Sequence, residues 1–135
     1  MEESKAPLSI LLLDDDKFLV EIYGEKFTKA GCQVRVFVSV KEALDTLRKG
    51  FRVDAVIFDV LMPECSGLVF LRQVIDEHLA PGAALIALSN QNDLADEQRA
   101  KAMGADFYIV KASRIPAEVI STVLDAIKER KRKTS

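Results

Sequence analysis

Five short segments rich in apolar residues constrain this chain most, because each is followed by a longer segment with a helical period. The short segments cover residues 10–13, 34–38, 55–58, 85–88 and 107–110. Runs of four or five such residues are too short for helices and are typical of strands buried in a parallel sheet. Strand and helix therefore alternate five times, which predicts a three-layer, doubly wound α/β sandwich with a five-stranded parallel sheet.

Helix start and stop signals lie between the predicted strands. Ser39 followed by Glu42 is a capping-box pattern, and Pro116 fits the first turn of the last helix. Pro63 and Gly67 predict a loop before the third helix. The first helix is predicted to place these side chains on one face: Phe18, Leu19, Ile22, Tyr23, Phe27 and Ala30.

A single domain is the simplest organisation for 135 residues of which about half are apolar. We expect this domain to cover residues 1–135, with a core over about 8–127 and a basic tail over 128–135. We interpret the tail as the frayed, solvated end of a helix, with a DNA-binding or linker role as the alternative. Its basic residues are Lys128, Arg130, Lys131, Arg132 and Lys133.

Composition argues against several classes of function. A net charge of −2 gives no overall attraction to nucleic acid or to an anionic membrane. No apolar stretch approaches the roughly 20 residues of a membrane span, and the polar start of the chain does not resemble a signal peptide. Cys32 and Cys65 are expected to be buried thiols in a reducing compartment. We therefore expect a cytoplasmic protein that binds neither membranes nor nucleic acid directly.

Polar side chains follow four of the five predicted strands, at the point where each strand ends. Asp14 and Asp15 follow the first strand, Asp59 the third, Ser89 the fourth and Lys111 the fifth. The carboxyl ends of parallel strands share one edge of the sheet, which is where such folds bind ligands. We therefore expect these five side chains to form one pocket.

Three carboxylates and one ammonium would leave that pocket with two negative charges. Two carboxylates about 5 Å apart repel each other by roughly 3 kcal/mol at an effective dielectric constant near 20. A hard divalent cation removes this repulsion, and few protein ligands, all of them oxygen, favour Mg²⁺ over Ca²⁺. Asp16 is instead expected to cap the first helix, and His78 to be an exposed residue at a helix end.

The same pocket suits phosphoryl transfer, which requires mainly positioning and charge stabilisation. Asp59 is the expected nucleophile and would form an aspartyl phosphate. Lys111 would neutralise one phosphoryl oxygen, and the Ser89 hydroxyl would donate a hydrogen bond to another. Each residue alone would be unremarkable on a loop, so the prediction depends on the whole set.

At these residues the chain resembles the response regulator receiver domains of two-component signalling, over about residues 8–127. The similar motifs are the Asp14–Asp15 pair, the segment 59–63 with Gly67 after it, Ser89, and Gly104 to Asp106 leading to Lys111. The resemblance implies a flavodoxin-like sheet of strand order 2-1-3-4-5. It also implies that Mg²⁺ is the cofactor and that the protein is a signalling domain rather than an enzyme.

The resemblance implies a role for each residue. Asp59 would take a phosphoryl group from the phosphohistidine of a sensor histidine kinase or a histidine phosphotransfer protein. Asp15 and Asp59 would bind Mg²⁺ directly, Asp14 through water, and Leu61 through its backbone carbonyl. Ser89 and Tyr108 would then switch the face formed by helix 4, strand 5 and helix 5. This face would bind a downstream partner, and a homodimer through it is a further expectation.

Two positions depart from the family pattern. Ala112 follows Lys111 where the family usually has proline, often in a cis peptide; we predict a trans bond or a shifted loop. Asn90 follows Ser89 where a small residue is usual, and we expect it to slow loss of the phosphoryl group. The alternatives are a degenerate receiver that acts as an unphosphorylated interaction module, and a small Mg²⁺-dependent phosphohydrolase of the haloacid-dehalogenase kind. Leu61 stands where that hydrolase family carries a second acid.

Overall fold

The computed structural model describes residues 7–62, 66–90, 94–111 and 114–134. Strand and helix alternate through these ranges, as the sequence predicts. The strands are β1 (Ser9–Leu13), β2 (Gln33–Phe37), β3 (Ala55–Asp59), β4 (Ala84–Ser89) and β5 (Phe107–Val110). The helices are α1 (Lys17–Lys29), α2 (Val40–Arg48), α3 (Gly67–Asp76), α4 (Leu94–Met103) and α5 (Pro116–Thr134).

The sheet is parallel throughout and has the order β2-β1-β3-β4-β5, which confirms the predicted topology. Successive residues of each strand point to opposite faces, so the sheet separates two apolar cores. In β1, Ile10 and Leu12 face a core shared with α1 and α5. Leu11 and Leu13 face a second core shared with α2 and α3. Each such buried side chain contributes roughly 1.5–3 kcal/mol relative to an exposed one.

The predicted inward face of α1 is partly wrong. Val20, Tyr23 and Phe27 are the buried side chains, whereas Phe18 is 75% exposed and Ala30 is also exposed. At 3.6 residues per turn, Phe18 lies about half a turn around the helix from the buried set. The apolar character of Phe18 was therefore a misleading guide to its burial.

Gly67 was expected in a loop, but it is the first residue of α3, after the N-cap Ser66. Two other predicted helix signals, at Ser39 and Pro116, are confirmed. Ser39 caps α2 by accepting a hydrogen bond from the Glu42 N–H, and α5 begins at Pro116. Pro63 and Cys65 lie outside the described residues.

The first residues of the basic tail are helical, because α5 continues to Thr134. The Arg130 guanidinium lies 3.5 Å from Asp106, and the Lys131 ammonium lies 3.3 Å from Asp54. These ion pairs attach the end of α5 to the side of the sheet where the strands begin, which we call the amino edge. They also occupy two of the cations that a DNA-binding role would use.

Two aspartates hold the amino edge of the sheet together. Asp54 Oδ2 accepts the N–H of Ser9, and Asp106 Oδ2 accepts the N–H of Leu85, both at 2.8 Å. The backbone N–H groups of the two aspartates donate in return to the carbonyls of Ser9 and Leu85, at 2.8 and 2.7 Å. Asp54 therefore links the starts of β1 and β3, and Asp106 links the starts of β4 and β5. We call this pair, Asp54 and Asp106, the amino-edge aspartates.

Two smaller predictions concern single residues, Cys32 and His78. Cys32 is a buried free thiol, as predicted. His78 is exposed just after α3 and has a φ of 54°. Its N–H donates to Ile75, and the next N–H, that of Leu79, donates to Val74, a Schellman-type helix end. Across the described ranges, no helix has both the length and the apolar character needed to cross a bilayer.

Candidate functional site

Asp14 is the most deeply placed acid, with no exposed surface. It directly follows β1, and its N–H donates to the Phe37 carbonyl of β2 at 3.0 Å. Its Oδ1 accepts the Asp16 N–H at 3.0 Å. Asp16 itself caps α1, as predicted, by accepting the Leu19 N–H at 3.1 Å. The chain therefore turns sharply after β1, which leaves Asp14 buried and Asp15 exposed.

Asp59 ends β3 and is 4% exposed. Its Oδ1 accepts the N–H of Leu61 at 3.1 Å, and the intervening Val60 N–H donates to the Leu88 carbonyl of β4 at 2.9 Å. Both the carboxylate and the peptide after it are thus held by backbone hydrogen bonds. Asp59 Oδ2 remains directed toward the other charges of the site.

Lys111 joins the two buried acids. Its ammonium lies 2.8 Å from Asp14 Oδ2 and 3.4 Å from Asp59 Oδ2, and the residue is 8% exposed. The contacts connect the ends of β1, β3 and β5, which are far apart in the sequence. The ammonium is closer to Asp14 than to Asp59.

Asp15 completes a group of three acids. One carboxylate oxygen from each of Asp14, Asp15 and Asp59 lies within 4.8 Å of the others. With Lys111 included, the group keeps two negative charges, as the sequence predicted. All-oxygen donors at this separation are suited to a hard divalent cation, and the exposure of Asp15 leaves a side from which water and a cation can enter.

The crowding of charge shifts two pKa values. Burial and the Asp14 charge raise the pKa of Asp59 from 3.8 to about 6, although Lys111 and the Leu61 N–H oppose the shift. Burial lowers the pKa of Lys111, but the hydrogen bond and charge of Asp14, aided by Asp59, outweigh it and leave the pKa above its ordinary value. Lys111 is therefore charged at neutral pH, and Asp59 is mostly ionised.

Ser89 is 3% exposed at the last position of β4. Asp59 pairs in register with Leu88, so Ser89 lies one residue beyond the partner of the central acid. On its other side Ser89 pairs with Val110, the residue before Lys111. The sheet thus places the hydroxyl between the strands that carry Asp59 and Lys111.

Four further positions have a predicted role in or beside the site: Tyr108, Leu61, Asn90 and Ala112. Tyr108 is half-buried in β5 against the core of α2 and α3, and its predicted switching role stays a prediction. Leu61 contacts Asp59 through its N–H, while its side chain is 60% exposed. Asn90 is exposed, and its effect on phosphoryl lifetime is untested. Ala112 lies outside the described residues, so the predicted trans bond also stays a prediction.

Sequence reasoning missed two neighbours of the site. Tyr23 was assigned only to the core, yet it lines a cavity of about 240 Å³ together with Lys111. Burial raises the pKa of the Tyr23 phenol. The charge of Lys111 lowers this pKa and the charge of Asp14 raises it, and the net pKa lies above its ordinary value. Gly67 belongs to a motif noted in the sequence but receives no predicted role at the site there, yet it lies against the backbone of Asp59. No periodicity or spacing rule distinguishes such contacts from ordinary core or loop positions.

Known proteins share both the sequence pattern and the fold. Residues 10–123 match the family model described as the response regulator receiver domain. Regulatory protein VanR of Enterococcus faecium is 30% identical over 114 residues, which are 84% of this chain and 47% of VanR. Response regulator SaeR of Staphylococcus epidermidis is 35% identical over 103 residues, which are 76% of this chain and 43% of SaeR. The chain thus spans less than half the length of these relatives.

A solved structure agrees in fold. The CheY-like receiver domain protein of Methanospirillum hungatei JF-1 superposes with a TM-score of 0.85 over 94% of this chain and 98% of the other. The two are 21% identical, so this likeness concerns the fold alone.

Proposed function

Because the chain belongs to the family of response regulator receiver domains, the signalling modules of two-component systems, we propose that Asp59 is its phosphoryl acceptor. One observation carries the proposal. Among the described residues, the buried polar or charged side chains are Asp14, Asp59, Ser89 and Lys111. All four lie at the carboxyl edge of the sheet, where two buried acids beside a single lysine leave negative charge uncompensated, and burying such charge costs stability.

The acids fit a magnesium ion. Asp14, Asp15 and Asp59 offer only oxygen donors, grouped within 4.8 Å, and we propose that they hold Mg²⁺ with the Leu61 carbonyl as a further ligand. The bound ion would supply positive charge to phosphoryl oxygens during transfer. It would also remove the negative excess that the three acids leave beside Lys111.

The transfer step uses one oxygen of Asp59. This oxygen attacks the phosphorus of a phosphohistidine; the new O–P bond forms as the P–N bond breaks, and the imidazole nitrogen keeps the electron pair and takes up a proton. Lys111 leaves its contacts with the acids to neutralise one phosphoryl oxygen. Ser89 donates its hydroxyl hydrogen to another.

The donor is proposed to be a sensor histidine kinase or a histidine phosphotransfer protein, met in the cytoplasm. Such a donor must dock at the carboxyl edge to reach Asp59. Three exposed apolar side chains belong to the elements and connections of that edge: Phe18, Leu61 and Ile115 are 75%, 60% and 63% exposed. They supply apolar contact area beside the acids, which supports docking of a protein rather than of a small phosphate ester alone.

The proposed output is a change in the face formed by α4, β5 and α5, which would bind a downstream partner or a second copy of the chain. In α4, Ala100 is the one buried residue among those described, and Leu94 is 66% exposed. A helix held by so little buried surface shifts at small energetic expense. Ser89 and Tyr108 connect the site to this face through neighbouring strands.

A small phosphodonor tests the proposal without the unidentified kinase. The protein is incubated with acetyl phosphate and Mg²⁺, and covalent phosphate is followed by intact-protein mass spectrometry. We expect a single labile adduct that requires Mg²⁺ and is absent from Asp59→Asn. Fast multiple turnover without an adduct would instead indicate a phosphohydrolase. Neither adduct nor turnover would indicate an unphosphorylated interaction module.

A further inference from the structure

The start of α3 lies directly against the backbone of Asp59. A Cβ atom built on Gly67 would lie 1.9 Å from the Asp59 carbonyl oxygen, 2.9 Å from its carbonyl carbon and 3.0 Å from the Val60 Cα. Real Cβ atoms essentially never come closer than 3.0 Å to such atoms. A side chain at Gly67 would therefore displace one of the two segments by roughly 1 Å, on the scale of a catalytic misplacement.

Close approach, rather than backbone conformation, is what requires glycine here. The positive-φ glycines of the described chain are Gly31, Gly50, Gly82 and Gly104, and Gly67 is not among them. Alanine would suit the first turn of a helix better than glycine does. Gly67 therefore lowers the helix propensity of α3 but allows the helix to contact the strand that ends in the acceptor.

Hydrogen bonds hold the same two segments together. The Gly67 N–H donates to the Val60 carbonyl at 2.7 Å, and the Ser66 hydroxyl donates to the same oxygen at 3.4 Å. From the other side, the Val60 N–H donates to the Leu88 carbonyl at 2.9 Å. Val60, the residue directly after Asp59, is therefore held between β4 and the start of α3.

We propose that Gly67, assisted by Ser66, is a positioning residue for the phosphoryl acceptor. By allowing α3 to begin against the Asp59 carbonyl, it sets the distance of that carboxylate from Lys111 and from the other metal-binding acids. The proposal rests on the function proposed above. A shift of about 1 Å in a reacting group costs on the order of 10²-fold in rate.

The first test compares Gly67→Ala with Val74→Ala. Val74 is 2% exposed in the third turn of the same helix, and its truncation perturbs α3 without adding an atom beside Asp59. Melting temperature, Mg²⁺ affinity by calorimetry and the rate of phosphorylation by acetyl phosphate are measured for both. We expect Gly67→Ala to weaken Mg²⁺ binding at least tenfold and to slow phosphorylation about 100-fold, beyond any change in Val74→Ala. Values within threefold of Val74→Ala would overturn the proposal.

A milder pair of variants decides the matter if Gly67→Ala does not fold. Ser66 and Ser39 are both helix N-caps whose oxygen accepts a backbone N–H, from Leu68 and Glu42 respectively. Of these two serines, Ser66 also donates to the carbonyl of Val60, the residue directly after the acceptor. We expect Ser66→Ala to slow phosphorylation three- to tenfold and Ser39→Ala to leave the rate within twofold. Equal effects of the two substitutions would refute the positioning role.

The two proposals fail in different ways. If the wild-type protein takes up no phosphoryl group, the proposed function fails, and the Mg²⁺ affinities of Gly67→Ala and Val74→Ala alone decide the inference. If the wild-type protein is phosphorylated and the Gly67 and Val74 variants react equally, the function stands and the positioning role of Gly67 fails.

Discussion

The two edges of the sheet use the same residue type in opposite ways. At the amino edge, Asp54 and Asp106 each accept a backbone N–H at 2.8 Å and each contact one basic side chain of α5. Their two negative charges are matched by two positive ones. At the carboxyl edge, three acids within 4.8 Å of one another share a single lysine.

The difference separates structural charge from functional charge. A balanced, hydrogen-bonded carboxylate stabilises the strands that it joins. A cluster with excess negative charge is unfavourable until a cation binds. Burial and the charge of Asp14 raise the pKa of Asp59 to about 6, which is the expected effect of such excess charge. The position of uncompensated charge, more than the number of acids, therefore indicates where the protein binds its ligand.

The largest predicted contrast is between the cations of the two edges. Lys111→Met removes the charge expected to stabilise the transferred group, and should slow phosphorylation by acetyl phosphate about 10²–10³-fold. Arg130→Met removes the partner of Asp106 at the other edge, and should leave the rate within threefold. Initial rates of adduct formation measure both. Similar losses in the two variants would mean that the edges are not functionally distinct.

The second contrast concerns pH. The pKa of Asp59 is raised from 3.8 to about 6 on folding, so the folded protein binds the proton more tightly than the unfolded chain. Stability from this group is therefore greatest below pH 4 and is lost as the pH rises to about 6, by up to about 3 kcal/mol. Without metal, the difference in free energy of unfolding between Asp59→Asn and the wild type should grow across that window. A difference constant from pH 4 to pH 7 in urea titrations would contradict this account.

The third contrast is in the sign of the change in the free energy of unfolding. At pH 7 without metal, Asp59→Asn should stabilise the protein, because it removes a buried, repelled charge. Asp106→Asn should destabilise it by about 1–2 kcal/mol, because it weakens a charge-assisted hydrogen bond to the Leu85 N–H. Urea denaturation measures both free energies. Destabilisation by both substitutions would show that the carboxyl-edge acids are also structural.

The smallest effect is the ion pair at the end of α5. The Arg130–Asp106 pair is partly exposed and 3.5 Å long, so a double-mutant cycle should give a coupling of about 0.2–1 kcal/mol. The same cycle on Lys111 and Asp14, which are buried and 2.8 Å apart, should give several-fold more. Equal couplings would remove the energetic distinction between the edges.

Much of the fold follows from local pattern. Buried parallel strands are continuous apolar runs, and the polar residues that follow four of the five runs mark the carboxyl edge. Asp14, Asp59, Ser89 and Lys111 could therefore be grouped without coordinates. The exposure of Phe18 could not be predicted, because only the packing of α1 shows which of its apolar residues point inward. The partners of Arg130 and Lys131 depend on where α5 ends relative to the sheet. The closeness of Gly67 to Asp59 is a contact of two backbones, and a glycine in a sequence does not indicate which backbone it lies against.

Magnesium-linked stability tests the central claim most directly. The free energy of unfolding is measured with and without Mg²⁺ for the wild type, Asp106→Asn and Asp59→Asn. At 100 times the dissociation constant of the wild type, Mg²⁺ should stabilise the wild type and Asp106→Asn by about 2.7 kcal/mol, and Asp59→Asn by less than a third of that. Equal stabilisation of all three proteins, or none of the wild type, would contradict the assignment of the carboxyl edge as the metal site.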